Sequence, residues 1–138
     1  MRLSAFIVSE PNAQLLIDMT KLYLPYCSNE KKIEASYNDI LSNESQQLFV
    51  ASFNERHIAA ACVEQIEHSL KLTNFAVRDI TQQRGIGKFL LNESKKLATE
   101  KGCNKIIVVH QTAAEESLEQ FLISQGLTRT DLGFELTL

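Results

Sequence analysis

Gln82, Gly85 and Gly87, spaced as Gln-x-x-Gly-x-Gly, are the residues of this chain best placed to do chemistry with an anion. They lie between an apolar, strand-like run ending at Val77 and a helical pattern that continues to Gly102. The first amides of a helix lack internal partners, and the helix dipole puts partial positive charge on them. Glycines remove the Cβ atoms that would hold a phosphate away. A strand, a glycine-bearing loop and a helix N-terminus in this order can hold a pyrophosphate through backbone N–H groups. Two other phosphate motifs fail on residue type. A P-loop requires Ser or Thr after its Lys and a first glycine at position 82, but Phe89 follows Lys88 and position 82 is Gln. A dinucleotide fingerprint requires a third glycine where Leu90 stands.

The elements that must position this loop follow from periodicity. Residues 3–8 alternate weakly and predict a strand. Leu15, Leu16, Met19, Leu22 and Tyr23 recur at helical spacing, with Ser9 or Asn12 as cap and an end near Pro25. Residues 30–41 predict a second helix with Ile33, Tyr37, Ile40 and Leu41 on one face. Residues 47–53 and 57–66 predict a hairpin around Asn54-Glu55-Arg56, and 70–77 a third, antiparallel neighbour. Ala59-Ala60-Ala61-Cys62 is small-chained, so a helix is expected to cross that strand closely. After Gly87, the residues Ile86, Leu90, Ser94, Leu97 and Ala98 share a helix face, ending at Gly102. The β-branched run 105–109 predicts a strand covered on both faces. Thr112-x-x-Glu115 predicts a capping box opening a last helix, with Leu118, Phe121 and Leu122 inward. Residues 127–130 and 134–138 predict two closing strands.

Length and composition bound the rest. At 138 residues, 44% hydrophobic and 22% charged, a single globular domain over 1–138 is expected. A net charge of −3 gives no basic footprint for nucleic acid. The apolar runs are too short to span a bilayer, and the N-terminal stretch predicts no secretory leader. Cys27, Cys62 and Cys103 are odd in number and form no C-x-x-C pair, which predicts a reduced, cytoplasmic, metal-free protein.

The loop motif with its flanking strand and helix resembles the acyl-CoA signature of the GCN5-related N-acetyltransferase (GNAT) superfamily. The order β-α-α-β-β-β-α-β-α-β-β resembles that superfamily over nearly the whole chain. The resemblance implies an α/β fold with a mixed, mostly antiparallel sheet splayed between strands 4 and 5 and flanked by helices. It implies acetyl-CoA as ligand. The pantetheine arm would pair with backbone at Phe75, Ala76 and Val77, and the pyrophosphate would lie on the loop of Gln82, Gln83, Arg84, Gly85, Ile86, Gly87 and Lys88. Glycine at 85 and 87 is then expected to keep the pyrophosphate site clear. The Glu that often serves as general base in the superfamily maps to Lys71, and the Tyr that often serves as acid maps to Leu122, which cannot donate a proton. No catalytic residue is assigned; Glu64, Glu67, His68 and His110 are the candidates.

Phe53-Asn54-Glu55-Arg56 with Ala59-Ala60, followed by Val77-Arg78-Asp79-Ile80-Thr81 and the glycine loop, resembles the aspartate 1-decarboxylase maturation activators. The match is carried by the middle third of the chain. It implies a regulatory acetyl-CoA sensor that docks on the decarboxylase zymogen of β-alanine and pantothenate synthesis and promotes its self-cleavage. Asn54, Glu55 and Arg56 are then the expected partner contacts. The alternative implied by the wider superfamily is a catalytic N-acetyltransferase acting on an amine of a small molecule or protein.

Overall fold

The computed structural model describes residues 3–8, 10, 13–23, 29–54, 56–78, 85–109, 115–131 and 133–138, side chains at 30 and 115–118 excepted. Its elements are β1 (Leu3–Ile7), α1 (Ala13–Tyr23), α2 (Glu30–Ser42), β2 (Gln46–Phe53), β3 (Arg56–Ile66), β4 (Ser69–Val77), α3 (Ile86–Glu100), β5 (Lys105–Val109), α4 (Glu115–Ser124), β6 (Thr128–Arg129) and β7 (Gly133–Thr137). The predicted order of strands and helices is the observed one, and β5 has the predicted bounds. The others shift by one or two residues at an end. The caps expected at Ser9, Asn12 and Thr112 lie outside the described residues. Asn29 caps α2 instead, its side-chain oxygen accepting from the amides of Lys31 and Lys32 at 3.0 and 3.3 Å.

The described strands form one seven-stranded sheet in the order β1-β2-β3-β4-β5-β7-β6. Every neighbouring pair is antiparallel except β4 and β5, which are parallel. Parallel neighbours cannot be joined by a hairpin. The crossover that returns the chain to the same end of the sheet is α3, so α3 starts where β4 finishes.

Helices cover both faces. On one, Leu15, Met19 and Leu22 of α1 pack with Tyr37 of α2 onto Leu48, Val50, Ala60 and Ala76. On the other, Leu90, Leu91 and Ala98 of α3 and Leu122 of α4 join the larger cluster with Ala59, Ala61, Leu70, Leu72 and Phe75. The alanine run of β3 is fully buried and faces a helix on each side, so its small side chains serve two close approaches. Among the described residues no helix is long and apolar enough to cross a membrane.

This packing leaves no room above Ala60. Ala60→Leu inserts a bulky side chain under Leu15 and Met19, and overpacking of this kind costs typically about 1–3 kcal/mol. Urea denaturation is expected to give a lower midpoint with an unchanged slope; an unchanged midpoint would contradict the close approach of α1 to β3.

Candidate functional site: a parted sheet beside a helix N-terminus

The ladder between β4 and β5 is short. Its pairs are Ser69↔Lys105, Leu70↔Ile106, Lys71↔Ile107 and Leu72↔Val108. Among the described residues that ladder ends at Leu72, and β4 runs on from Thr73 to Val77, about 16 Å of strand at the usual rise. On its other side it stays paired to β3, through Ala60↔Ala76 and Ala59↔Val77. Arg78 N donates to Ile58 O at 3.0 Å, and hydrogen-bonded positions alternate along an antiparallel ladder. Ala76 therefore directs its peptide groups at β3, whereas Phe75 and Val77 direct theirs at the parted side. Of the three predicted pairing residues, Phe75 and Val77 turn their peptide groups away from β3, and Ala76 holds the strand to β3.

A bulge sits inside this segment. Between Cys62↔Thr73 and Ala60↔Ala76 the chain spends three steps on β4 for two on β3, and Asn74 has φ +53°. Before the bulge, Leu70 and Leu72 face α3; after it, Phe75 does. A one-residue insertion is what reverses side-chain parity. Phe75 then stacks on Phe121 of α4, with ring centroids 6.3 Å apart and planes inclined by 28°.

The N-terminus of α3 lies at the end of the same segment. Its first internal bond runs from Phe89 N to Gly85 O at 2.9 Å, so the amides of Ile86, Gly87 and Lys88 precede the helical ladder. Gly85 holds the N-cap position in the left-handed region at φ +76° and brings no side-chain cap. A Cβ built on Gly85 meets nothing within 4 Å, so its outer surface is open. Lys88 is exposed in the first turn.

Gly87 has a different role from the one expected. It is buried, and a Cβ there would lie 3.3 Å from Phe121 Cζ and 3.5 Å from Val77 Cγ2. Its missing side chain lets α3 seat against β4 and α4; it does not clear a phosphate. Gln82, Gln83 and Arg84 lie outside the described residues.

The candidate acid–base groups do not assemble here. Lys71 Nζ is 3.9 Å from Glu64 Oε1, across the β3–β4 ladder, and Ser45 Oγ donates to Glu64 Oε2 at 3.1 Å. Glu67 and His68 form the exposed β3–β4 turn, at the end of β4 opposite Val77. Leu122 is fully buried in the larger core cluster. His110 lies outside the described residues.

The β2–β3 hairpin places Asn54 at its tip, exposed and with φ +50°. Glu55 lies outside the described residues. Arg56, expected to be free for a partner, is instead tied to Asp18 of α1. Its Nε and Nη2 donate to Asp18 Oδ1 at 2.9 and 2.8 Å, though the side chain is still 40% exposed. The amide of His57 donates to Asp18 Oδ2 at 2.9 Å, His57 Nδ1 lies 2.8 Å from the same oxygen, and Gln14 Nε2 donates to Oδ1 at 2.9 Å. Asp18 is wholly buried. Burial on its own would raise its pKa, but the hydrogen bonds from Arg56, from the His57 amide and ring and from Gln14 outweigh it and bring the value down to about 2. Sequence reasoning missed this cluster. The signal was a carboxylate on the apolar face of α1, three residues after Leu15 and four before Leu22.

Comparison with known proteins adds the following. The model of the family described as the acetyltransferase (GNAT) domain, PanZ, matches residues 2–135. The PanD regulatory factors of Salmonella typhimurium and Escherichia coli are 28% and 27% identical to this chain over 93 residues, 67% of this chain and 66% of each relative. The match thus spans just under two thirds of those relatives' length. The solution structure of YhhK from E. coli bound to coenzyme A, described as an N-acetyltransferase, superposes with a TM-score of 0.77 at 23% identity over 99% of both chains.

The Asp18 network has a pH signature. Its depressed pKa contributes stability that is fully present above the ordinary value of 3.8 and is lost as pH falls toward about 2. Asp18→Asn is expected to be less stable near neutrality and to lose less stability than the parent across that acid window. Equal acid dependence of the two, measured by denaturant titration at a series of pH values, would contradict the assignment.

Proposed function

Since the chain belongs to the PanZ family of acetyltransferase (GNAT) domains, we propose that it is an acetyl-CoA sensor that acts on a PanD-type aspartate 1-decarboxylase zymogen. The observation that carries this reading is that β4 outruns its described ladder to β5 and ends against the N-terminus of α3, where Gly85 brings no side-chain cap. An amide-bearing arm can pair with β4 at Phe75, over the apolar floor of Phe75 and Phe121. The pyrophosphate at the end of that arm meets the amides of Ile86, Gly87 and Lys88, with the Lys88 ammonium beside them. Gln82, Gln83 and Arg84 complete the phosphate loop in this reading.

The regulatory role is supported by the position of the usual proton donor, which is the buried Leu122; the candidate groups Glu64, Glu67 and His68 lie away from the Phe75–Val77 end of β4. Acetyl-CoA is then held and read, and transfer to general amines is slow. The partner surface includes the hairpin tip, Asn54 and Glu55, and the outer side of Arg56. Because Arg56 also neutralises buried Asp18, Arg56→Ala lowers stability as well as affinity, and Asn54→Ala is the cleaner probe. The protein acts in the cytoplasm, where acetyl-CoA is at hand and the free thiols of Cys62 and Cys103 persist.

The test is a binding cycle. Titration is expected to show acetyl-CoA binding to the isolated protein. Capture of the decarboxylase zymogen from the same source is expected to tighten with acetyl-CoA, and acetyl-CoA affinity to rise by the same factor with zymogen present. Asn54→Ala weakens zymogen capture and leaves acetyl-CoA affinity of the free protein unchanged. Absence of a complex in either condition would overturn the partner assignment. Thiol release from acetyl-CoA with an amine panel at about 1 s⁻¹ or faster would show an acetyltransferase instead.

A further inference from the structure

The bulge in β4 is gripped from the opposite face of the sheet. Tyr23, the last residue of α1, donates its hydroxyl to Asn74 O at 2.8 Å. Asn74 is the bulge residue with φ +53°, in a left-handed conformation that Asn tolerates better than most residues. Past Leu72 the described ladder to β5 has ended, and the strand is held by its ladder to β3 and by what else meets its backbone. The bulge is also what turns Phe75 to the α3 side, and with it the register of backbone groups along the parted edge.

We propose that Tyr23 is a positioning residue for the acyl-pantetheine arm. Its hydrogen bond to Asn74 O holds the bulge and so aims the N–H and C=O groups of the adjoining Phe75 into the cleft. This inference rests on the reading of that cleft as the acetyl-CoA site. Tyr23 acts through the strand from the far side of the sheet. The helix that presents it is itself fixed to that sheet, because Asp18, one turn and a residue earlier on α1, is bound to Arg56 and His57 at the start of β3. The hydroxyl therefore approaches Asn74 from a firm base.

The test separates the two ends of the ligand. Calorimetric titrations of the unsubstituted protein and of Tyr23→Phe use acetyl-CoA and, separately, adenosine 3′,5′-bisphosphate, which carries phosphate but no pantetheine arm. Tyr23→Phe is expected to bind acetyl-CoA about three- to tenfold more weakly, the factor that one net hydrogen bond represents. It is expected to bind the bisphosphate as the unsubstituted protein does. Asn74→Val, whose β-branched side chain resists positive φ, should reproduce this selective loss with Tyr23 intact. Unchanged acetyl-CoA affinity in Tyr23→Phe, or an equal loss for both ligands, would overturn the positioning role. Failure of the unsubstituted protein to bind acetyl-CoA would overturn the cleft assignment itself, and this inference with it.

Discussion

β4 and β5 run parallel, pair over four positions and then part, and this limited ladder sets the rest of the structure. Parallel neighbours require a crossover, which is α3. β5 is paired to β7 along its full length, while its ladder to β4 ends at Leu72↔Val108, one residue before β5 itself ends. Past that point β4 turns the backbone donors and acceptors of Phe75 to the side away from β3. Such groups demand a partner wherever they are withdrawn from water. A strand edge that opens into a fold, with a helix N-terminus at its far end, is suited to an extended ligand that carries amides along its length and phosphate at one end.

Close packing makes that arrangement possible. Gly87 lets the first turn of α3 rest against Val77 and Phe121, which brings the amides that precede its helical ladder to the end of β4. The alanines of β3 let α1 come near enough for Tyr23 to reach the backbone of β4. Asp18 then fixes α1 to the β2–β3 hairpin through Arg56 and His57. A charge this deeply buried is retained only with its hydrogen bonds made, so the hairpin, α1 and the strand beside the cleft form one connected unit. The hairpin tip and the cleft are thus joined through a single helix.

Much of the fold was legible because periodicity reports burial directly. The strand at 105–109 and the helix face of Leu90, Ser94 and Ala98 read correctly. Only Ile106 and Val108 of that strand are buried, so the expectation of cover on both faces is corrected: Lys105, Ile107 and Val109 stay partly exposed on the other face. The glycine loop was legible as a strand-to-helix turn. What the two glycines do was less so: both fit a phosphate motif, yet one provides left-handed backbone and the other a tight helix contact. The bulge at Asn74 was hidden because a single inserted residue leaves composition untouched while reversing parity. Arg56 read as a free hairpin cation because its partner, Asp18, is 38 residues away in sequence. A carboxylate on the apolar face of α1 signals that it needs a partner, but the identity of a partner at that separation is set by the sheet and leaves no local pattern.

The most direct measurement of the parted strand as ligand receptor is amide hydrogen exchange with and without acetyl-CoA, resolved by residue. The N–H group of Phe75 faces the cleft side of β4, and those of Ile86, Gly87 and Lys88 precede the helical ladder. All four are expected to slow on addition of acetyl-CoA, while Ala76, already directed at β3, changes little. Protection confined to the loop amides, with Phe75 exchanging as before, would contradict the account, because a ligand would then occupy the helix N-terminus without pairing with β4.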